Sequence, residues 1–279
     1  MATTLKEVNL QIQLEAAGKN LLGFSSVAST TPIELLRFLD RVEGLLSEVG
    51  QAPSRWMKDA LEPTMKALVS DQLLKHSDFY VRVAVASCMS ELIRITAPDT
   101  PYNDTVQMKD VFNLIVLVLG LLSSEDARRY DKGLRILSNM TNVRAAVLMV
   151  DNLIPKMFRV FLNSIRYPHS VVVFRQMESI MTRALEESEE ISNELLSILL
   201  TSVNRKIEHV SCSQRLLGEF VLINCSVKLR YYLPKFVRSG NLNVDDYSSV
   251  VAHICQCAPE NKHACGLCLS FYLQIFIQD

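Results

Sequence analysis

Glycine is scarce in this chain, and the catalytic motifs that depend on it are missing. Nine of the 279 residues are glycine, and none of them cluster. The sequence therefore has no glycine-rich phosphate loop and no GxSxG turn for a nucleophile, and it also lacks an HExxH zinc motif and a kinase signature. We expect a protein that is not an enzyme, with no catalytic or cofactor-binding residues and no small-molecule substrate.

An excess of charge of one sign and a long apolar run are missing as well. The net charge is -1, so nothing global steers the chain towards nucleic acid or a membrane surface.

Lys6 and Glu7 stand where a secretory signal would be apolar. The longest apolar segment, Val111–Leu122, is shorter than the roughly 20 residues that a membrane span needs, and it predicts a buried helix. We expect no signal peptide and no membrane contact, and we interpret the seven cysteines as reduced, buried thiols.

What the sequence does have is helical periodicity along nearly its whole length. Apolar residues from Leu35 to Val49 recur at alternating steps of four and three, which places them on one face of a helix. Thr31, Pro32 and Glu34 fit the N-cap, N1 and N3 positions of that helix. The other apolar stripes are Val81, Val85, Cys88, Met89, Leu92; Leu153, Met157, Phe161, Ile165; Val173, Met177, Ile180, Met181, Ala184; Leu195, Leu196, Leu199, Leu200, Val203; and Leu216, Leu217, Phe220, Val221.

These stripes predict about ten to twelve helices of roughly 10–20 residues joined by short turns. We expect Pro63, which lies inside a helical pattern, to kink or end its helix. The predicted fold class is all-α, an α-solenoid of degenerate HEAT/armadillo-like helix pairs, with an irregular bundle as the alternative. Breaks between helices are predicted at Pro53, Ala97–Pro101, Tyr167–Pro168, Pro234 and Ser239–Gly240.

The segment Ser77–Ala86 resembles the HEAT signature, in which an Asp, then Val-Arg, then small residues open the second helix of a repeat. Asp78 can cap a helix start, and Arg82 can reach a neighbouring carboxylate or carbonyl. The alternation in Tyr80–Val85 would also suit a short strand, but the Ala, Met, Glu and Leu that follow favour a helix.

A longer stretch around this motif resembles the "precocious dissociation of sisters" family of cohesin-associated proteins, and plant members most closely. The most specific part is Arg94–Tyr102, an R-I-x-A-P-x-x-P-Y turn between two helices. The resemblance runs from about Leu5 to Cys255 and includes further matching segments at Met177–Thr182, Leu185–Glu189, Leu217–Glu219 and Asn224–Cys225.

The resemblance implies a nuclear protein that binds cohesin through the kleisin subunit and regulates sister chromatid cohesion. It also implies links to the wings-apart-like release factor, to acetylation of the cohesin ring, to chromatin association in mitosis and to DNA repair. Family members are much longer, so we expect residues 1–257 to form one N-terminal HEAT-like domain. Residues 258–279 depart from the family and are expected to be an atypical tail, truncated or produced by a gene-model error.

Four groups of residues are candidates for sites, and each has an ordinary structural explanation. Zinc could bind Cys255, Cys257, His263, Cys265 and Cys268 with His253, but buried or loosely ordered thiols explain this cluster better. The basic stretch Arg205–Arg238 could make a weak contact to DNA, or it could be a solvated helix face. Glu186–Glu194 is interpreted as a solvated helix end and not as a metal site. Trp56, Tyr80 and Tyr102 could anchor a peptide, although core packing is favoured for each.

The sequence leaves the partner-binding residues unassigned, and rival functions stay open. The chain could be another HEAT or armadillo adaptor, such as a transport or phosphatase scaffold, but it has one Trp and no repeated Trp/Asn ladder. It could be a truncated form without independent activity. It could also be an enzyme with an unrecognised helical active site, which would require a deep pocket with shifted pKa values.

Overall fold

The computed structural model describes residues 2–24, 31–143, 153–166 and 169–257. Within them the chain forms fourteen α-helices, and the strand-like pairing is confined to one isolated antiparallel bridge between Asn204 and Tyr247. The helices are α1 (Ala2–Phe24), α2 (Pro32–Ser47), α3 (Arg55–Leu68), α4 (Asp71–Leu74), α5 (Phe79–Thr96), α6 (Thr105–Leu119), α7 (Ala127–Asn142), α8 (Ile154–Ser164), α9 (Val171–Glu187), α10 (Asn193–Ser202), α11 (Cys212–Asn224), α12 (Ser226–Leu229), α13 (Leu233–Ser239) and α14 (Ser249–Gln256).

The sequence predicted two to four helices fewer than these fourteen because some are very short. α4 and α12 have four residues each, and α13 has seven, which is too little for an apolar period to be recognised. The residues group into two compact units, 1–184 and 185–279. The predicted tail, residues 258–279, and the predicted break at Tyr167–Pro168 lie outside the described residues.

Helix starts follow the predicted capping chemistry. The Thr31 side chain accepts a hydrogen bond from the Glu34 amide, and the Glu34 carboxylate accepts one from the Thr31 amide, which completes a capping box. Asp78 accepts from the amides of Tyr80 and Val81 at the start of α5, as expected. These caps satisfy amides that have no partner within their own helix, so they fix where the helices begin.

The core of the first unit is built around α5, which contacts α2, α3, α4, α6 and α7. Thirteen residues of this helix are buried, including the whole run from Val83 to Ile93. The helical interpretation of Tyr80–Val85 is therefore confirmed, and the strand alternative is wrong. The predicted apolar stripes of α2, α5, α8, α9 and α10 are buried throughout, and that of α11 in part, since Leu216 and Phe220 stay half-exposed.

Pro63 does not end its helix, because α3 continues through it to Leu68. The alternative in which Pro63 ends the helix is therefore wrong, and a kink at this residue stays a prediction. α1 instead approaches α3 at the proline: an added Cβ on Gly18 would lie 2.7 Å from the Thr64 amide nitrogen and 2.9 Å from the Pro63 Cβ. Only glycine permits two helix backbones to come this close.

The predicted buried helix at Val111–Leu122 lies in Thr105–Ser123, the one described segment that is long and apolar enough to cross a membrane by length and composition. This segment is α6 with a following 3-10 turn, and it contacts α5, α7 and α8. Phe112, Ile115 and Leu119 are fully buried in these contacts. Packing against three neighbouring helices is the environment of a core helix, as expected.

The second unit is a smaller cluster in which α10 packs on α11 and α13, and α11 packs on α14. Gly218 in α11 lies against the end of α10, where an added Cβ would stand 2.2 Å from the Ser202 hydroxyl. The loop after α10 is tied to the 3-10 turn Val244–Asp246 by the Arg205 amide, which donates to the Asp246 carbonyl at 2.8 Å. These contacts hold the helices that surround the cavities of this unit.

Candidate partner-binding site

The turn that carries the family resemblance has a structural role in the first unit. One guanidinium nitrogen of Arg94 donates to the carbonyls of Leu46 at 3.0 Å and Val49 at 2.8 Å, which closes the end of α2. Its Nε donates to the carboxylate of Glu91 at 2.7 Å. The side chain of Glu91 is 4% exposed, so this ion pair is shielded from solvent. Arg94 therefore joins α5 to the C-terminal end of α2.

Tyr102, at the other end of this turn, fills the core and does not face a partner. Its hydroxyl donates to the Met65 carbonyl at 2.9 Å and lies 3.6 Å from the Met89 sulfur. Burial raises the pKa of Tyr102 far above its ordinary value, which keeps the hydroxyl protonated as a donor. Core packing was the favoured interpretation of this residue, and it is confirmed.

A network of charges around the buried carboxylate of Glu43 connects α2, α5 and α7. Glu43 accepts hydrogen bonds from Ser87 at 2.9 Å and from Lys132, and it pairs with Arg135 at 3.2 Å. Lys132 also donates to Asp40 at 2.9 Å. Burial lowers the pKa of Lys132, but the hydrogen bonds and charges of Glu43 and Asp40 outweigh it and hold the pKa above its ordinary value. These charges are used internally and stabilise the stack of three helices.

The arginine of the HEAT-like motif makes a different contact from the one expected. Arg82 lies over the ring of Phe79, at 5.2 Å from its centroid, and the structure shows no carboxylate or carbonyl bound to its Nε in the described residues. Arg129 of α7 lies 4.3 Å from the centroid of Tyr80. The two arginines therefore pack on the first aromatic residues of α5 as cation–π partners.

Trp56 does not pack in the core, so the favoured interpretation was wrong for this residue. It lies at the start of α3 with 71% of its surface exposed, because the buried face of that helix is formed by its neighbours Met57 and Ala60. Core packing was also wrong for Tyr80, which is 40% exposed and only partly covered by Arg129. Both remain available as isolated aromatic contacts.

Half of the candidate zinc cluster lies outside the described residues, which include Cys255, Cys257 and His253. The Cys257 sulfur lies 3.9 Å from the His253 Nε2, and burial raises the pKa of the Cys255 thiol. No group of three metal-ligating side chains occurs in the described part of the chain.

Cys212 is exposed, so the expectation of buried thiols was wrong there, whereas Cys88 and Cys225 are buried.

The acidic run is largely solvated, as expected. Glu186, Glu187, Glu189, Glu190 and Glu194 are exposed around the end of α9 and the start of α10. Ile191 is buried between them and anchors the connection.

The basic stretch Arg205–Arg238 is not a continuous cationic face, because several of its cations have partners within the second unit. Lys206 pairs with Asp246 at 2.7 Å, and Arg215 donates to the Asn204 carbonyl at 3.4 Å. Arg230 donates to the Tyr231 hydroxyl at 2.9 Å, with its guanidinium 4.9 Å from that ring. The solvated-face interpretation thus holds only for part of the stretch.

Lys228 closes the end of a helix in the second unit. Its ammonium donates to the carbonyls of Leu185 at 2.8 Å, Glu186 at 3.1 Å and Ser188, which lie at and just after the end of α9. Three donors and three carbonyls satisfy the ammonium fully. No carboxylate takes part in these bonds, so the positive charge of Lys228 is not cancelled by a formal negative charge.

Two adjoining cavities beside Lys228 form the best candidate for a binding site in the described residues. Cavities of about 610 Å³ and 420 Å³ share the walls made by Tyr231 and Tyr232, and we call them together the tyrosine groove. The first cavity is further lined by Glu186, Asn224, Cys225, Val227 and Lys228, and the second by Asn193, Leu196, Lys235, Phe236 and Ser239.

Sequence reasoning did not find the tyrosine groove, although one signal was present. Tyr231 and Tyr232 stand side by side within the basic stretch, between Arg230 and Lys235. Adjacent tyrosines among cations are typical of interfaces, where a ring with a polar end contributes contact area at low entropic cost. The tyrosines lie in the turn after α12, a four-residue helix that could not be recognised by periodicity.

Comparison with known proteins identifies the relatives of this chain. The profile of the family described as "Sister chromatid cohesion protein PDS5 protein" matches residues 33–261. The chain is 46% identical over 251 residues to sister chromatid cohesion protein PDS5 homolog C of Arabidopsis thaliana, covering 88% of this chain and 28% of the relative. It is 29% identical over 178 residues to protein pds5 of Schizosaccharomyces pombe, covering 62% of this chain and 15% of that protein.

A solved structure shares the fold. The described architecture matches a chain from a structure of the Pds5–Scc1 complex with a TM-score of 0.64 and 21% identity, over 84% of this chain and 34% of that one. The predicted all-α solenoid class is confirmed by this match. The chain thus spans well under half the length of the relatives that it matches.

Proposed function

The chain belongs to the PDS5 family of sister chromatid cohesion proteins, and we propose that it is a non-enzymatic scaffold that binds cohesin and regulates sister chromatid cohesion. The observation that carries this proposal is the family match over residues 33–261. A solved relative of the same fold was determined as a Pds5–Scc1 complex, which supports the kleisin subunit of cohesin as the partner. The site of action would be chromatin in the nucleus, during mitosis and DNA repair, with the wings-apart-like release factor as a second partner.

The physical features of the chain fit a scaffold. Capping side chains and buried charges fix the helices of the first unit against one another, so its surface is preformed. A preformed surface binds with a smaller loss of conformational entropy than a flexible one does. Stacked helix pairs are suited to holding an extended segment of a partner.

The rival functions are less well supported. Family membership disfavours a transport or phosphatase adaptor. An unrecognised enzyme would need reactive groups in a cavity, but the strongly perturbed groups Cys88 and Tyr102 are buried in the core of the first unit and line neither cavity of the tyrosine groove. A weak DNA contact through Arg205–Arg238 stays a second, weaker proposal: Lys206 pairs with Asp246, whereas Arg215 and Arg230 bind uncharged groups and keep their charge.

Titration of the chain with the purified kleisin subunit, followed by calorimetry in moderate salt, tests the proposal. We expect saturable binding with a dissociation constant of about 1 µM or tighter, which corresponds to roughly -8 kcal/mol. A matched titration with a DNA duplex should give no saturable heat. A folded, monomeric chain that binds neither kleisin nor the wings-apart-like factor would contradict the proposal and would support a truncated form without independent activity.

A further inference from the structure

Two threonines in the chain carry the same short motif, a hydroxyl residue followed directly by proline. They are Thr31, before Pro32, and Thr100, before Pro101, and no other serine or threonine in the sequence precedes a proline. Proline-directed protein kinases recognise this pair of residues, because proline has no amide hydrogen that would need an acceptor in the kinase cleft. Since both threonines carry the motif, the fold decides which of them a kinase can reach.

Thr31 lies at the start of α2, on a turn that holds no buried side chain. The backbone of Thr31 is extended, with a φ of -68° and a ψ of 144°. All four residues from Thr31 to Glu34 are exposed, and the first buried residue of the helix is Leu35. Opening of this first turn therefore removes no apolar side chain from the core. Residues 31–34 can be drawn into the extended form that a kinase cleft binds, at little cost in free energy.

Thr100 lies in the turn between α5 and α6, where the next two residues are buried. Its hydroxyl donates to the Tyr102 carbonyl at 2.9 Å. The hydroxyl of Tyr102 in turn donates to the Met65 carbonyl of α3 at 2.9 Å. Extension of this segment would pull the Tyr102 ring out of the core and break both hydrogen bonds, so the fold withholds Thr100 from a kinase.

We propose that Thr31 is a phosphorylation site for a proline-directed serine/threonine kinase, and that Thr100 is not one in the folded chain. The hydroxyl oxygen of Thr31 attacks the γ-phosphorus of ATP, the bond from this phosphorus to the β,γ-bridging oxygen breaks, and ADP leaves. The hydroxyl proton passes to the catalytic carboxylate of the kinase. Glu34, three residues after Thr31, disfavours by its charge the kinases that bind a basic residue there. This inference goes beyond the proposed function and does not depend on a cohesin partner.

The phosphate changes the cap at the start of α2. In the unmodified chain the Thr31 hydroxyl donates to the Glu34 carboxylate at 2.9 Å, and the Thr31 amide donates to the same carboxylate at 3.3 Å. A phosphate ester has no hydroxyl to donate at this position, and its charge of about -2 repels the carboxylate. Phosphorylation therefore opens the capping box and adds a dianion to the surface of the first unit.

Incubation of the intact chain with an active mitogen-activated protein kinase and Mg-ATP tests the inference, with phosphate at each threonine quantified over time by mass spectrometry. In the folded chain we expect an initial rate at Thr31 about tenfold or more above that at Thr100. In short synthetic peptides centred on the two threonines, where nothing is buried, the rates should agree within about threefold. Equal rates at Thr31 and Thr100 in the folded chain, or no phosphate at Thr31 although its peptide is modified, would overturn the inference.

Variants of the intact chain identify the acceptor and the motif. Thr31→Val should abolish the main incorporation of phosphate, and Thr31→Ser, which keeps both the hydroxyl and the cap, should restore it. Pro32→Ala suits the first helical position but lacks the proline ring, and it should lower the rate at Thr31 about tenfold. Thr100→Val is the matched control and should leave incorporation unchanged. Incorporation that persists in Thr31→Val would assign the acceptor to another residue and reject the proposal.

Glu34→Gln tests the predicted effect on the cap. Glutamine keeps the capping box but has no charge that repels the phosphate. The change in melting temperature on phosphorylation should therefore be more favourable in Glu34→Gln than in the unmodified chain. An equal change in both proteins would show that the phosphate does not act on Glu34 and would reject the opening of the capping box.

Discussion

Both units of the molecule close the end of a helix with a cation from elsewhere in the chain, but the two cations differ in their surroundings. Arg94 closes α2 in the first unit and is paired at the same time with the buried carboxylate of Glu91. Lys228 closes α9 in the second unit and contacts carbonyl oxygens alone. The first cation is part of an internal charge balance, whereas the second keeps its charge beside a groove. The same capping chemistry therefore uses a cation that is paired with a buried acid in one unit and a cation without a paired acid in the other.

Removal of Arg94 should have the largest effect. Arg94→Met leaves the carbonyls of α2 and the buried carboxylate of Glu91 without their partner, and we expect a loss of about 3 kcal/mol in the free energy of unfolding. Urea unfolding followed by circular dichroism measures this loss. Arg37→Met, on the exposed face of α2, is the control and should cost less than about 0.5 kcal/mol. A loss for Arg94→Met as small as that of the control would show that the cap does not hold the unit together.

A second substitution, at Glu91, should restore part of the stability that is lost when Arg94 is removed. Glu91→Gln in the Arg94→Met background removes the unpaired charge and keeps an oxygen that can accept from Asn139, the present donor to Glu91 at 3.0 Å. We expect the double variant to recover about 1–2 kcal/mol relative to Arg94→Met alone. The measurement is the interaction energy in a double-mutant cycle of urea unfolding. If the effects of the two substitutions on the free energy of unfolding simply add, Arg94 stabilises the unit through the carbonyls of α2 and not through Glu91.

Loss of Lys228 should be less severe, because no buried acid depends on it. Lys228→Met should cost about 1–2 kcal/mol, since the carbonyls at the end of α9 can turn partly to water. Faster amide hydrogen exchange, confined to the residues around Leu185–Ser188, should accompany the loss. Lys235→Met is the matched control and should leave both exchange and stability unchanged. Accelerated exchange throughout the second unit would show that Lys228 supports the whole unit.

The smallest effect is expected from the substitution of His169, a titratable side chain that binds the backbone after α6. The Nε2 of His169 lies 2.8 Å from the carbonyl of Leu122, after α6, and its Nδ1 accepts from the amide of Arg166. Partial burial and the charge of Arg166 lower the pKa of His169 below 6.5, against the contribution of the Leu122 carbonyl. Between the lowered pKa of the folded chain and the ordinary value of about 6.5, His169 binds more protons in the unfolded chain than in the folded one. The free energy of unfolding therefore decreases as the pH drops below about 6.5. Melting temperatures at pH 7.5 and pH 5.5 should differ less in His169→Gln than in the unmodified chain.

Local features could be predicted from the sequence, and the partners of long side chains could not. The capping box at Thr31 and Glu34 depends on residues three positions apart, and it was predicted correctly. Arg94 and Lys228 bind carbonyl groups 40 or more residues away, and every residue has a carbonyl, so no pattern marks the acceptor. The tyrosine groove was missed for the same reason, since its walls come from α9 to α13 and from the turn after α12.

Whether a single aromatic residue is buried depends on its neighbours in the helix as well as on its own type. Tyr102 and Trp56 were both expected in the core, and only Tyr102 is there. Which side of a helix faces inwards depends on the neighbouring apolar positions, and at the start of α3 these are Met57 and Ala60. An aromatic residue that leads a helix lies off this face, so its type alone did not predict its burial.

The close approach of Gly18 to Pro63 and Thr64 restricts how the first helix can move along its neighbour. A slide of one helical turn, about 5.4 Å, would bring Leu14 or Leu22 to the position of Gly18. Neither side chain has room there, because the space admits no Cβ without a shift of the α3 backbone. α1 therefore has a single permitted longitudinal register on α3. The same register fixes the direction in which the exposed apolar residues Leu5, Val8 and Ile12 face.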